Sequence, residues 1–165
     1  MDRFDKCDFV TIFCMAHGTS DGLTQFKGEI ANYKKLFLNP LFKIQQLNNK
    51  LKWLVVQACR GQLNDEDVQF DNNEENQIYV KHFLISYCTG EGTVSYQYNR
   101  NGKIYIQTVC EELCNNANAE NYERCLIQML QDVREKVEQY GDKCGKNAYS
   151  HPEIHTNLDG YIFQM

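Results

Sequence analysis

Three short runs, "DFVTIFCMA" (8–16), "LKWLVVQA" (51–58) and "YVKHFLISYC" (79–88), are nearly continuous in apolar, β-branched and aromatic residues. Runs this short and this apolar suit strands covered on both faces. Each gives way at once to turn chemistry: "HGTSDG" after the first, "CRGQ" after the second and "TGEG" after the third. Segments with helical spacing lie between and after them. "EIANYKKLFL" (29–38) sets Ile30, Tyr33 and Phe37 on one face, with Pro40 as a stop signal. "IYIQTVCEELC" (104–114) reads as another helix. "NYERCLIQMLQDVREKVEQY" (121–140) is the strongest, with Cys125, Leu126, Met129, Leu130, Val133 and Val137 on one stripe and Gly141 just beyond its end. A last extended segment covers roughly 153–164. Strands alternating with helices predict an α/β sandwich with a mainly parallel sheet. At 165 residues, one domain (1–165) is expected.

Charge and cysteine content narrow the function classes. The net charge is −5 and no basic block is present, which argues against nucleic acid and anionic membrane as partners. No apolar run approaches the length of a bilayer span. The opening "MDRFDKCDF" lacks the apolar stretch of a secretory signal. The eight cysteines are therefore expected as reduced thiols in the cytoplasm, ahead of a disulfide scaffold. A zinc site from Cys144, His151 and His155 also ranks low, because no paired C-x-x-C accompanies it. Cys110 and Cys114, one helical turn apart, fit a packed face as well as any site. The segment "QLNDEDVQFDNNEENQ" (62–77) carries six acids and no base, the pattern of a solvated loop.

If the first two apolar runs are parallel neighbours, His17-Gly18 and Cys59 arrive together at the carboxyl ends of the strands, where α/β sheets gather their functional groups. A thiol attacks only as thiolate, and a histidine within reach can take its proton and later protonate a leaving amine. Gly18 has no Cβ, so its N–H can approach a substrate carbonyl closely. With the N–H of Cys59 it would form an oxyanion hole.

"QACRG" (57–61), with a histidine 42 positions upstream (59 − 17), resembles the signature of the caspases. The likeness extends further. "FVTIFCMAHG" resembles their histidine strand, "LKWLVVQACRGQ" their cysteine strand, and "TVSYQYNRNGKIYIQTVCEEL" (93–113) the start of their small subunit. The resemblance implies a three-layer α/β/α sandwich, truncated at its N-terminal side. Residues 1–61 would match the end of the large subunit, 62–78 an acidic intersubunit-like loop and 79–165 the small subunit. It implies Cys59 as nucleophile, His17 as general base and acid, and Gly18 and Cys59 as oxyanion donors. Gln57 would line the pocket for a substrate aspartate, beside the stretch Ser95-Tyr96-Gln97. Asp65, Asp67 and Asp71 stand where the family is processed, although so short a loop favours an unprocessed chain. No cofactor and no metal are implied.

The pattern also breaks. Caspases hold the aspartate with two arginines and the glutamine, because a carboxylate leaving water needs charged, forked donors. One of these arginines is Gln97 here, and the region that bears the other has no counterpart in this chain. The remaining cations nearby are Arg60 and Arg100. Losing one partner of a buried charged pair typically costs about 2–5 kcal/mol. The expectation is a caspase-like regulator of apoptosis with little or no aspartyl-directed proteolysis. It would act by pairing with an active paralogous caspase through its C-terminal strand, or form a weak homodimer. The alternative is an active cysteine endopeptidase of altered specificity using Cys59 and His17.

Overall fold

The computed structural model describes residues 4–18, 23–26, 29–61, 82–93, 95, 103–117, 124–143, 150–158 and 162–163. In chain order its strands are β1 (Phe9–Met15), β2 (His17–Gly18), β3 (Leu23–Phe26), β4 (Glu29–Asn32) and β5 (Leu51–Gln57). They continue with β6 (Phe83–Tyr87), β7 (Arg124–Cys125), β8 (Glu153–Thr156) and β9 (Ile162–Phe163). A π-helical turn (Lys34–Leu38) runs into a short helix α1 (Asn39–Phe42), and two longer helices follow, α2 (Ile104–Ala117) and α3 (Leu126–Lys143).

The three apolar runs supply the three parallel strands of the main sheet, ordered β1-β5-β6-β8. β1 and β6 both run parallel to β5, while β8 pairs antiparallel with β6. β5 lies between two neighbours and under layers on both faces, and all seven of its residues are buried. On one face Leu51, Trp53, Val55 and Leu84 pack with Tyr105, Val109, Leu126, Met129, Leu130, Val133 and Val137 from α2 and α3. On the other, Cys14, Leu54, Val56, Ile85 and Tyr87 meet Tyr33 and Leu38. This is the expected three-layer arrangement. Each fully buried aliphatic side chain contributes about 1.5–3 kcal/mol, so the central strand dominates the core. Within it the indole N–H of Trp53 is satisfied, since Trp53 Nε1 donates to Ser86 Oγ at 2.9 Å.

Several local expectations are corrected. β1 was expected to be covered on both faces, but it forms one edge of the main sheet. Phe9, Phe13 and Met15 on its α2/α3 side are 41%, 40% and 63% exposed. The helix expected over 29–38 starts only near Tyr33, because residues 29–32 form β4, paired with β3. Pro40 does not stop that helix. It occupies the first turn of α1, where a missing N–H costs nothing. His17 and Gly18 are not simply loop: they pair antiparallel with Gln25 and Thr24. α3 continues past Gly141, which is buried within it, and ends at Lys143. Among the described residues, no helix is long and apolar enough to cross a membrane.

Candidate active site

The site begins with strand register. β1 and β5 are aligned so that Met15 lies opposite Gln57, and Ala16 N–H donates to Gln57 O at 3.3 Å. Two residues beyond each strand end stand His17 and Cys59. The first belongs to β2, which β3 holds: Thr24 Oγ1 donates to His17 O at 2.9 Å. The contact between the two strand ends is made by Gly18. A Cβ at this position would stand 1.9 Å from the carbonyl oxygen of Cys59 and 2.8 Å from Ala58 Cβ. The glycine is thus demanded by the neighbouring backbone, a reason more immediate than room for a substrate carbonyl.

The cysteine side chain is half-buried, and its sulfur faces Ser95. Cys59 Sγ accepts a hydrogen bond from Ser95 N–H at 3.4 Å and lies 3.9 Å from Ser95 O. Among the described residues no hydrogen bond joins Cys59 Sγ to His17. Both nevertheless rise from adjacent strand ends, and catalytic hydrogen bonds often tighten only when substrate is bound.

Gln57 is buried at the end of β5, and its Nε2 donates to Ser95 Oγ at 2.5 Å. Its Oε1 is buried without a hydrogen-bond partner among the described residues. Ser95 therefore bridges Gln57 and Cys59 across 38 and 36 sequence positions. Beneath it lies a residue that the sequence reading did not single out, Cys88. Its Sγ donates to Ala58 O at 3.4 Å, and the Ser95 side chain hydrogen-bonds to it as well. Burial pushes the Cys88 thiol up from its ordinary range.

Arg60, one of the two cations available to a substrate pocket, is committed elsewhere. It is 2% exposed. Its Nη1 lies 2.5 Å from Glu153 Oε2 and 3.4 Å from Thr89 O, and its Nη2 lies 3.9 Å from Glu91. The guanidinium also sits 4.1 Å from the centre of the Tyr87 ring. Its backbone holds the turn after β6, with Arg60 N–H donating to Thr93 O and Gly92 N–H donating to Arg60 O, each at 2.8 Å. The "CRG" turn is therefore a structural clamp between β5, β6 and β8. Glu153 and Glu91 were the missing clues, and neither announces its partner from 93 and 31 positions away.

Tyr96, Gln97 and Arg100 lie outside the described residues, as do Asp65, Asp67, Asp71 and Cys144. Of the zinc candidates that are described, His151 Nδ1 meets Glu138 Oε1 at 3.1 Å, whereas His155 packs on the Tyr87 ring with centroids 4.9 Å apart. Among the described residues no group of three or more His, Cys, Asp or Glu could hold a metal ion. The seven described cysteines are free thiols.

Comparison with known proteins returns caspases. The chain is similar to Caspase-3 of Bos taurus, 28% identical over 144 residues, covering 82% of this chain and 50% of the relative. It is 27% identical to Caspase-14 of Homo sapiens over 165 residues, covering 93% and 64%. Caspase-6 of Gallus gallus is 24% identical over 189 residues, covering 92% and 61%. The chain thus spans between 50% and 64% of the length of these relatives. In fold it resembles the crystal structure of Caspase-1 from Spodoptera frugiperda, with a TM-score of 0.73 at 22% identity, covering 94% of this chain and 64% of that one. The caspase domain model matches residues 2–161, almost the whole sequence, and on that match the chain belongs to the caspase family.

Proposed function

We propose that this protein is a caspase-like regulator with little or no aspartyl-directed proteolysis of its own, acting by association with an active caspase. One observation carries the reading: Arg60, which could have replaced a lost pocket cation, is buried against Glu153 and Tyr87. The amide donor of Gln57 is likewise spent on Ser95 Oγ. Among the described residues, a substrate carboxylate entering here would meet no forked cation that is not already engaged, a loss on the order of 2–5 kcal/mol. Positioning of the scissile carbonyl, which supplies up to about 7–11 kcal/mol in ideal cases, would fail with it. Cys59, His17 and Gly18 then persist as fold, with Gly18 serving the strand contact.

A second reading has its own support. Cys59 Sγ is half-exposed, within reach of a substrate, and accepts a hydrogen bond from Ser95 N–H. Gln57 Oε1 is a buried acceptor, suited to a substrate side chain that donates. That enzyme would be a cysteine endopeptidase using Cys59 and His17, with specificity moved away from aspartate.

The test uses the full chain with fluorogenic tetrapeptides ending in Asp, and in parallel with Gln or Lys at the cleaved position. The regulator reading expects no hydrolysis above the Cys59→Ala variant on any of them. It also expects an effect on a purified active caspase that Cys59→Ala leaves intact. Hydrolysis of the Gln or Lys peptide that disappears in Cys59→Ala would establish the second reading instead.

A further inference from the structure

Cys88 is a second thiol built against the end of the cysteine strand. β5 and β6 are in parallel register with Val56 opposite Tyr87, so Cys88 stands level with Gln57. Cys88 N–H donates to Val56 O at 3.0 Å. The Cys88 sulfur touches the peptide group joining Ala58 to Cys59, through its hydrogen bond to Ala58 O. Positions two apart on a strand share a face, so Cys59 leaves β5 on the side of the sheet to which Cys88 belongs. Ser95 contacts both residues, with its N–H on Cys59 Sγ and its side chain on Cys88. The two thiols differ in access, since Cys59 is half-exposed and Cys88 is 1% exposed.

We propose that Cys88 is the resolving thiol for oxidation of Cys59, the pair closing to a reversible disulfide that removes the Cys59 nucleophile when the protein meets hydrogen peroxide. In the first step the Cys59 thiolate attacks one peroxide oxygen. The O–O bond breaks, hydroxide leaves, and the sulfur is oxidised by two electrons to sulfenic acid. In the second step the hydroxide released by the first takes the Cys88 proton as water, and the Cys88 thiolate attacks the Cys59 sulfur. An S–S bond forms, the S–O bond breaks, and hydroxide departs. A disulfide asks for Cα atoms about 4.4–6.8 Å apart, and neighbouring strands are about 4.8 Å apart, so the remaining offset is along the strand. Cys59 stands two residues, about 6.6 Å, further along than the level of Cys88, so closure requires the turn after β5 to draw back toward Cys88.

Burial keeps Cys88 protonated and out of reach of peroxide, so attack falls on Cys59 first. Once closed, the disulfide draws the sulfur inward and away from any substrate or alkylating agent.

The inference rests on Cys59 being the reactive thiol of the proposed site, but its readout needs no turnover. The full chain is treated with hydrogen peroxide, alkylated after denaturation, digested and analysed by mass spectrometry. The expected product is a Cys59 peptide joined to a Cys88 peptide and separated by dithiothreitol. In Cys88→Ser and Cys88→Ala the link is lost, dimedone labelling of Cys59 rises severalfold, and sulfinic acid accumulates there. The result that overturns the proposal is Cys59 oxidised in the wild-type chain to sulfenic or sulfinic acid without the link, with dimedone labelling unchanged by Cys88→Ala. Cys59 untouched by peroxide while still alkylated by iodoacetamide would overturn it equally. Hydrolysis of aspartyl peptides would overturn the regulator reading and leave the disulfide standing, so the two failures are separable.

Discussion

Replacing Gly18 by alanine tests the contact on which the site depends. The added methyl would begin 1.9 Å from the Cys59 carbonyl oxygen, where ordinary contact starts near 3.4 Å. Backbone on one side or the other must therefore move by about 1.5 Å, the difference of those two distances. Neither partner is the loose end of a side chain. The oxygen belongs to the peptide after Cys59, and Gly18 is held in β2 by its pairing with Thr24. Overpacking of this kind costs about 1–3 kcal/mol. For a chain of this size each kcal/mol lowers Tm by about 2–4 °C, so a fall of about 4–8 °C is expected for a cost near 2 kcal/mol.

The displacement also reaches the thiol. A misplacement of about 1 Å can cost about 100-fold in a positioned reaction, and here the displaced group carries the sulfur itself. The assay is the rate at which iodoacetamide alkylates Cys59, followed by peptide mass, beside a thermal melt. Gly18→Ala is expected to change both readings. An alkylation rate and a melt for Gly18→Ala equal to those of the wild type would refute the claim that the two strand ends press on one another.

What could be read from the sequence was decided by how each residue is partnered. β5 was legible because seven consecutive residues are buried and six of them are apolar or carry a long apolar stem; even Lys52 lies over the Phe42 ring. β1 has the same apolar look, yet it sits at the edge of the main sheet. Nothing in "FVTIFCM" says how many neighbours a strand will find. β4 was misread because Ile30, Tyr33 and Phe37 happen to satisfy helical spacing, while the antiparallel pairing with β3 that decides the matter is a tertiary fact. Cys59 and His17 could be placed at one sheet edge from the two strands alone. The Ser95 bridge, the Arg60 clamp and the Cys88 thiol all depend on partners dozens of residues away, where local pattern has no reach.

Three other outcomes follow from the same contacts. Lys136→Met should destabilise the protein by about 1–3 kcal/mol, because it strips the cation from Glu112, whose side chain is only 5% exposed between α2 and α3. Adding Glu112→Leu should recover most of that loss in a denaturant titration, since leucine needs no cation where the Glu112 side chain is buried. At Glu138 partial burial works to raise the carboxyl, but hydrogen bonds from Arg134 and His151 outweigh it and hold the group below its usual range. Its contribution is therefore present above the unfolded value of about 4.3 and is lost as pH falls through the lowered one. Melts of wild type and Glu138→Gln should differ by at most about 1 kcal/mol near neutrality and converge in acid. The last outcome concerns self-association through β8, the edge of the sheet opposite β1. A tight interface needs an apolar centre, but β8 is four residues long and reads Glu-Ile-His-Thr. Its polar groups are already employed inward: Glu153 on Arg60, and Thr156 Oγ1 donating to Phe83 O at 2.7 Å. Ile154, its one aliphatic residue, is already partly buried against the α2/α3 core, and even its full burial, about 1.5–3 kcal/mol, falls short of an association cost of at least about 4 kcal/mol. Sedimentation should therefore show monomer at micromolar concentration, and a homodimer that persists at nanomolar concentration would show that this edge is not the surface that pairs.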